Sequence, residues 1–377
     1  MYDRILKISN NSCFIFGARG TGKTSWAKEK FPEALWFDLL QDDTYTELLA
    51  RPSRLDEHIP DKFSGWIVVD EIQKVPALLN EIHRLIESRK LKFILTGSSA
   101  RSLRRKGVNL LAGRALTYHM YPLTALELGN DFNIQTALKY GTLPAAVTHT
   151  DPEKYLSSYI ATYLREEVLQ EGLTRNFPLF TRFLETASFS QGEILNYTNI
   201  ASEVASNRHV INQFFDILED LLIAYRIHPF TKRAKREVVL SPKFYFFDTG
   251  IYRSIKPCGP LDTESESDGP ALETLFLQET KAINDYLNLG YGIYYWRTRN
   301  QEEIDFILYG KRGLHAIEIK RKANLAKNDF KSLQLFAKDY PMAKCYLLYG
   351  GTQSYREGNI YVEPFATFIR QLHDYLK

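Results

Sequence analysis

The sequence predicts an α/β protein in three parts: a parallel-sheet domain over residues 1–150, a helical domain over 151–255 and a second α/β domain over 256–377. Three observations predict it. A short apolar run, Cys13 to Phe16, breaks into a glycine-rich loop that opens a helix. Two helical stretches joined by a tight turn near residue 206 are followed by aromatic and β-branched runs. Near the C-terminus, two strand-like runs carrying acids flank the four residues Gly310-Lys-Arg-Gly313.

With 377 residues, 44% of them hydrophobic and 25% charged, the chain has material for two or three cores. That composition excludes a disordered tail, a collagen-like rod and a disulfide-stapled miniprotein. No apolar run approaches the roughly 18 residues that cross a bilayer, and the first ten residues lack a signal-peptide core. Cys13, Cys258 and Cys345 lie far apart with no C-x-x-C pair, so neither a disulfide framework nor a cysteine zinc site is expected. A cytoplasmic protein without membrane contact is the expectation. The net charge of +3 does not by itself point to nucleic acid.

The first loop reads Gly17-Ala18-Arg19-Gly20-Thr21-Gly22-Lys23-Thr24, a full G-x-x-x-x-G-K-[ST] phosphate-binding loop. Glycines let successive backbone N–H groups curl around phosphates, and the following helix points its positive end at them. Lys23 is expected to reach the β- and γ-phosphates of ATP, and the Thr24 hydroxyl to bind Mg²⁺. The run Trp66 to Val69 ends in Asp70 and Glu71, 47 residues after Lys23. Asp70 is expected to hold Mg²⁺ through water, and Glu71 to polarise the attacking water. Leu78, Leu79, Ile82, Leu85 and Ile86 form a helical stripe read as core. A third strand, Lys92 to Leu95, ends in Thr96, Ser98 and Ser99. These polar groups either sense the γ-phosphate or cap the next helix. Arg101, Arg104, Arg105, Lys106 and Arg114 follow, as a solvated face or as a source of one arginine, Arg114, for a neighbouring subunit's nucleotide.

These motifs, with Ala112-Gly-Arg114, Tyr121-Pro-Leu, Phe244 to Gly250, Tyr295 to Arg299 and Ala316 to Lys320, resemble the bacterial and archaeal AAA-type ATPases that carry a C-terminal domain of uncharacterised function. The resemblance spans nearly the whole chain. It implies a parallel-sheet P-loop (AAA-type) ATPase domain, a helical and winged-helix middle domain and a C-terminal α/β restriction-endonuclease-like domain.

In the middle, Thr198 is expected to cap a short helix to Val204, and Val210, Phe214, Ile217, Leu218 and Leu221 to line a longer one, as in a helix-turn-helix. Tyr225 to Phe230 and Glu237 to Phe247 then predict a β-ribbon whose tip carries Lys232, Arg233, Lys235 and Arg236, placed for phosphates. Arg208 and His209 open the second helix, where they would approach a groove. The competing reading is an interdomain spacer with a solvated tip.

Leu261 to Pro270 reads as a polar linker, and Ala271 to Leu287 as a helix holding Glu273. Pairing Tyr309 with Leu314 and counting back places Asp305 opposite Glu318, with Lys320 on the same face as Glu318. D-x₁₂-E-x-K resembles the active site of the restriction-endonuclease superfamily, with Ile304 where a proline is usual. Asp305, Glu318 and Glu273 would hold Mg²⁺, and Lys320 would orient the nucleophile. Two readings stand beside this one: an amphipathic hairpin with a cross-strand charge cluster, and a degenerate nuclease fold that only binds DNA. Lys320-Arg-Lys322 and Lys327 add positive charge nearby.

Three functions follow as expectations. The leading one is an ATP-driven DNA-processing machine acting on branched DNA, assembled as a homo-oligomer such as a hexameric ring. The second is a nucleotide-controlled switch that binds a protein partner. The third is a metal-dependent nuclease licensed by ATP.

Overall fold

The computed structural model describes residues 2–98, 103, 111–164, 168, 176–233, 236–259 and 264–377. The chain forms two compact units, one built on Asp3–Tyr121 with Asp220–Leu222, the other on Pro122–Glu219 and Ile223–Lys377.

Apolar runs make the first unit. Strands β1 (Cys13–Phe16), β2 (Leu35–Asp38), β3 (Trp66–Asp70), β4 (Lys92–Gly97) and β5 (Leu116–His119) form a parallel sheet in the order β2-β3-β4-β1-β5. Every residue of β1 is buried, the signature of a strand covered on both faces. The helix Leu78–Arg89 buries Leu78, Leu79, Ile82 and Leu85, so the predicted stripe is core. The strand order sets β4 between β1 and β3, so Thr96 at the end of β4 lies between the glycine loop after β1 and Asp70 at the end of β3.

In the second unit, the helices Phe177–Ser188, Tyr197–Glu203 and Arg208–Asp220 pack Phe180, Phe183, Phe214 and Phe215 against one another. The cap of Tyr197–Glu203 is Asn196, whose side chain accepts from the Asn199 amide, and not Thr198. Asparagine is as good a cap as threonine, and the helix starts two positions earlier than the threonine suggests.

Strands β6 (Ala224–Ile227) and β7 (Lys243–Phe246) form an antiparallel ribbon, Ala224 opposite Phe246 and Ile227 opposite Lys243. The ribbon is much shorter than predicted. Residues beyond Ile227 leave it and run along β8 (Gly292–Arg297), the edge strand of a six-stranded sheet. Phe230 N–H donates to Tyr295 O, Tyr295 N–H to His228 O and Val239 N–H to Arg297 O. Phe230 is buried among Trp296, Phe336 and Tyr340. An open edge carries unpaired backbone groups, and this segment covers it.

The six-stranded sheet adds β9 (Glu303–Gly310), β10 (Gly313–Lys320), β11 (Lys344–Tyr349), β12 (Tyr355–Glu357) and β13 (Ile360–Pro364), in the order β12-β13-β11-β10-β9-β8. Strands β8, β9 and β10 are antiparallel, whereas β10, β11 and β13 run parallel. The helix Glu264–Tyr286 packs Phe276 on Phe306 of β9. That helix begins inside the stretch expected to be a linker. Pro270 lies within it, and residues 260–263 fall outside those described. Polar residues are tolerated in a first helical turn, so composition alone marked this boundary too late.

Cys13 and Cys345 are buried and Cys258 is exposed, all three as free thiols. Among the described residues no helix is long and apolar enough to cross a membrane.

His315 of β10 is 2% exposed, with Nε2 beside the Tyr291 hydroxyl and Nδ1 buried without a hydrogen-bond partner. Burial, with Lys344 adding to it, lowers its pKa from 6.5 to about 4. The unfolded chain therefore takes up a proton first as the pH falls. Stability contributed by neutral His315 is complete above about pH 6.5 and is lost toward pH 4, with about 2 kcal/mol gone at pH 5. In urea unfolding, His315→Gln is expected to lose less stability than the parent between pH 7.5 and pH 5. Equal losses would refute this.

Candidate functional site

The loop after β1 owes its shape to its glycines. Gly20 (φ 83°) and Gly22 (φ 90°) are left-handed, a region costly for other residues. Gly17 is required by proximity: a Cβ there would meet Met120 O at 2.3 Å. Thr21 is buried and its hydroxyl donates to Ala18 O at 2.8 Å, while Arg19 is half-buried. Arg4 clamps the loop from outside, donating to Thr21 O at 2.9 Å and Tyr121 O at 2.6 Å. Lys23, the first residue of the helix Lys23–Lys30, folds back over the loop and donates to Gly17 O at 2.7 Å and Ala18 O at 3.2 Å.

The expected metal-side residues come together. Thr24 Oγ1 donates to Asp70 Oδ2 at 2.8 Å, and Thr96 Oγ1 donates to Asp70 Oδ1. Asp70 is 2% exposed, so both carboxylate oxygens are committed to hydroxyls at a buried strand end. A hydroxyl beside a carboxylate is the hard-oxygen chemistry that suits Mg²⁺, and with the glycine loop it fits a nucleotide-bound Mg²⁺.

Glu71 follows with φ 60°, a left-handed backbone at a non-glycine residue. Its amide donates to Thr96 Oγ1 at 3.3 Å, and its carboxylate accepts from Gln73 Nε2. The same Nε2 donates to Ser98 Oγ at 3.1 Å. Gln73 thus ties Glu71 to the end of β4. Gln73 and Arg4 were not singled out from the sequence. The available signal was a polar side chain, Gln73, in the turn between buried Ile72 and Val75.

Arg114 pairs with Glu87 on the helix Leu78–Arg89 and is 38% exposed. Ser99, Arg101, Arg104, Arg105 and Lys106 lie outside the described residues.

In the second unit two of the cations expected at the ribbon tip, Arg236 and Lys232, have neighbours. Arg236 Nε pairs with Asp339 at 2.6 Å, and Lys232 lies over the Tyr309 ring at 4.6 Å. Arg233 is exposed with φ 52°, and Lys235 lies outside the described residues. Arg208 is exposed at the start of its helix, over the Tyr197 ring at 5.9 Å.

Asp305, Glu318, Glu273 and Lys320 do converge, but around a residue the sequence reading passed over. The β9–β10 ladder pairs Leu314 with Tyr309 as expected and is regular to Ile317–Phe306, one step short of the predicted Asp305–Glu318 pair. On the other side, Tyr294 pairs with Ile307 and Trp296 with Ile304, so Asp305 and Phe306 together face Tyr295 in a bulge. Asp305 Oδ2 accepts from the Ile319 amide at 2.8 Å. Lys320 Nζ reaches Glu318 Oε1 at 2.6 Å, while Glu318 Oε2 is buried without a partner. Tyr245 donates to Glu273 Oε2 at 2.6 Å. Among these groups sits Lys243 of β7, 2% exposed, its ammonium paired with Glu303 and lying 3.6 Å from Asp305 and 3.7 Å from Glu273.

Burial, reinforced by Asp305, pushes the Glu273 carboxyl up to about 8 against the pull of Lys243. Burial raises Asp305 and Glu318 as well. Burial works to lower Lys243, but Tyr245, Glu273, Asp305 and Glu303 hold its ammonium well above the ordinary lysine value. Among the described residues, no three His, Cys, Asp or Glu side chains are grouped so as to hold a metal ion.

Residues 9–129 match the family model of an AAA domain. Residues 131–262 and 268–368 match two domains of unknown function, DUF8612 and DUF4143. The chain is 24% identical over 294 residues to the uncharacterized proteins Rv2008c of Mycobacterium tuberculosis and Mb2031c of Mycobacterium bovis, covering 76% of this chain and 65% of each of them. An uncharacterized protein of Haemophilus influenzae is 24% identical over 206 residues, 50% of this chain and 52% of that protein. The chain thus spans about half to two thirds of the length of these relatives. The crystal structure of protein VC1899 from Vibrio cholerae aligns over 97% of each chain at 12% identity, with a TM-score of 0.23 that carries no weight. Residues 9–129 are an AAA-type P-loop ATPase domain, which suggests nucleotide-dependent activity.

Proposed function

We propose that the protein hydrolyses ATP at the Gly17–Thr24 loop and acts as a nucleotide-controlled switch. The observation that carries the hydrolysis is the set of half-buried Thr24 with buried Asp70 and Thr96, and Glu71 fixed beside it by Gln73. Lys23 would leave the loop carbonyls for phosphate oxygens, exchanging neutral acceptors for charged ones. Thr24 and Asp70 would hold Mg²⁺, which supplies charge neutralisation at the β- and γ-phosphates. Glu71 would take the proton of the attacking water. Asp70 is poorly placed for that task, because both its oxygens already accept hydroxyl hydrogen bonds.

The switch reading is preferred to a DNA motor because Arg236 and Lys232, read as phosphate contacts, are engaged within the second unit. A DNA-processing ATPase, with branched DNA as a candidate substrate and a ring of copies as its form, is the second reading. Exposed Arg208 and His209 at the start of their helix favour it.

ATP turnover with Mg²⁺, measured without DNA and with single-stranded, duplex and branched DNA, separates the two. The switch reading expects basal turnover that no DNA form changes more than about twofold. Stimulation of tenfold or more by one form, lost in Arg208→Ala, would replace it with the DNA-processing reading.

A further inference from the structure

We infer that the Lys243 ammonium is the resident cation of the Glu273–Glu303–Asp305–Glu318 cluster, standing where a nuclease of similar layout would hold a divalent metal. The cluster would therefore be a metal-free ion network that joins the ribbon to the six-stranded sheet, and not a centre for phosphodiester cleavage.

The donor inventory supports this. A hydrolytic metal site needs hard oxygens free to close on a cation at about 2.0–2.6 Å. Here Glu303 is held between Lys243 and Arg297, with Arg297 Nη1 at 2.8 Å from its carboxylate. Glu273 Oε2 accepts from Tyr245, and Asp305 Oδ2 from the Ile319 amide. Glu318 Oε1 accepts from Lys320, and its Oε2, buried without a partner, is a single free donor where a metal needs several. Lys243 meanwhile lies within 3.7 Å of three carboxylates with almost no access to water.

Charge leads to the same conclusion. Four acids, of which Glu273 is largely protonated at neutral pH, face three cations, Lys243, Lys320 and Arg297. A divalent ion added at the same point would meet an ammonium a few ångströms away in a buried setting, where like charges repel strongly. The site could take the metal only if Lys243 withdrew. Its strand is held by the β6 ladder on one side and by Leu195 N–H to Pro242 O and Gly192 N–H to Phe244 O on the other. The bulge at Asp305 serves this arrangement, since it brings that carboxylate to the ammonium.

The test is Mn²⁺ binding to the full chain without nucleotide, read by electron paramagnetic resonance. The parent and Asp305→Asn are expected to take up equal Mn²⁺. Lys243→Met is expected to gain one Mn²⁺ per chain, lost again when Asp305→Asn is added. Mn²⁺ bound by the parent and released in Asp305→Asn would overturn the inference, as would a folded Lys243→Met that gains none. Should Lys243→Met fail to fold, the parent and Asp305→Asn comparison decides alone. None of these outcomes depends on ATP turnover, so the test is separate from the proposed function.

Discussion

Glu71→Gln is expected to lower ATP turnover by about 100-fold or more while leaving nucleotide binding within about twofold, because it removes a base and keeps the shape. Glu71 is the carboxylate next to the loop that is held ready: its backbone is turned to φ 60°, its amide rests on Thr96 and its side chain on Gln73. Asp70 cannot take over, since Thr24 and Thr96 occupy both its oxygens. Gln73→Ala serves as the companion. It leaves the base in place but frees its orientation, so kcat should fall by about tenfold with KM little changed. Turnover of Glu71→Gln within about twofold of the parent would move the base elsewhere. A fall in nucleotide affinity equal to the fall in turnover would instead mark Glu71 as a binding residue.

What could be read from the sequence follows how local each feature is. The phosphate loop is legible because eight consecutive residues specify it, and Gly17, Gly20 and Gly22 meet the requirements that their types imply. Asp70 and Thr96 were legible because buried parallel strands are continuous apolar runs whose polar ends stand out. Arg4 was not, since its role depends on a fold that brings residues 4, 21 and 121 together. The ribbon was half legible. Aromatic and β-branched residues such as Phe230 and Val238 suit a long hairpin or the covered edge of another sheet equally well, and the structure takes the second course. Counting back along the hairpin correctly brought Asp305 and Glu318 near each other, because turn length sets the register. The bulge that turns Asp305 toward Lys243 leaves no mark in composition. One signal for Lys243 was present: a lone lysine opening the buried strand Lys243-Phe-Tyr-Phe246 must find acids, since lysine is rarely buried unless paired.

That lysine carries the second large effect. Lys243→Ala is expected to destabilise the second unit by about 3–5 kcal/mol, the usual cost of removing one partner from a buried ion pair and leaving the other uncompensated. Glu303, Glu273 and Asp305 lose their common cationic neighbour, and side-chain exposures of 25%, 19% and 10% limit the solvation they can recover. The control is Arg299, paired with Glu237 where both side chains are more than two-thirds exposed. Arg299→Ala should change stability by no more than about 1 kcal/mol. Added salt should erode that small effect but not the large one, because buried charges are poorly screened. Glu303→Gln in the Lys243→Ala background should restore part of the loss by removing the acid that pairs with Lys243 most directly. Urea unfolding of the four proteins at two salt concentrations reads all of these. A Lys243→Ala variant within about 1 kcal/mol of the parent would mean that the carboxylates are neutral without it, and that the ammonium is a passenger in the cluster.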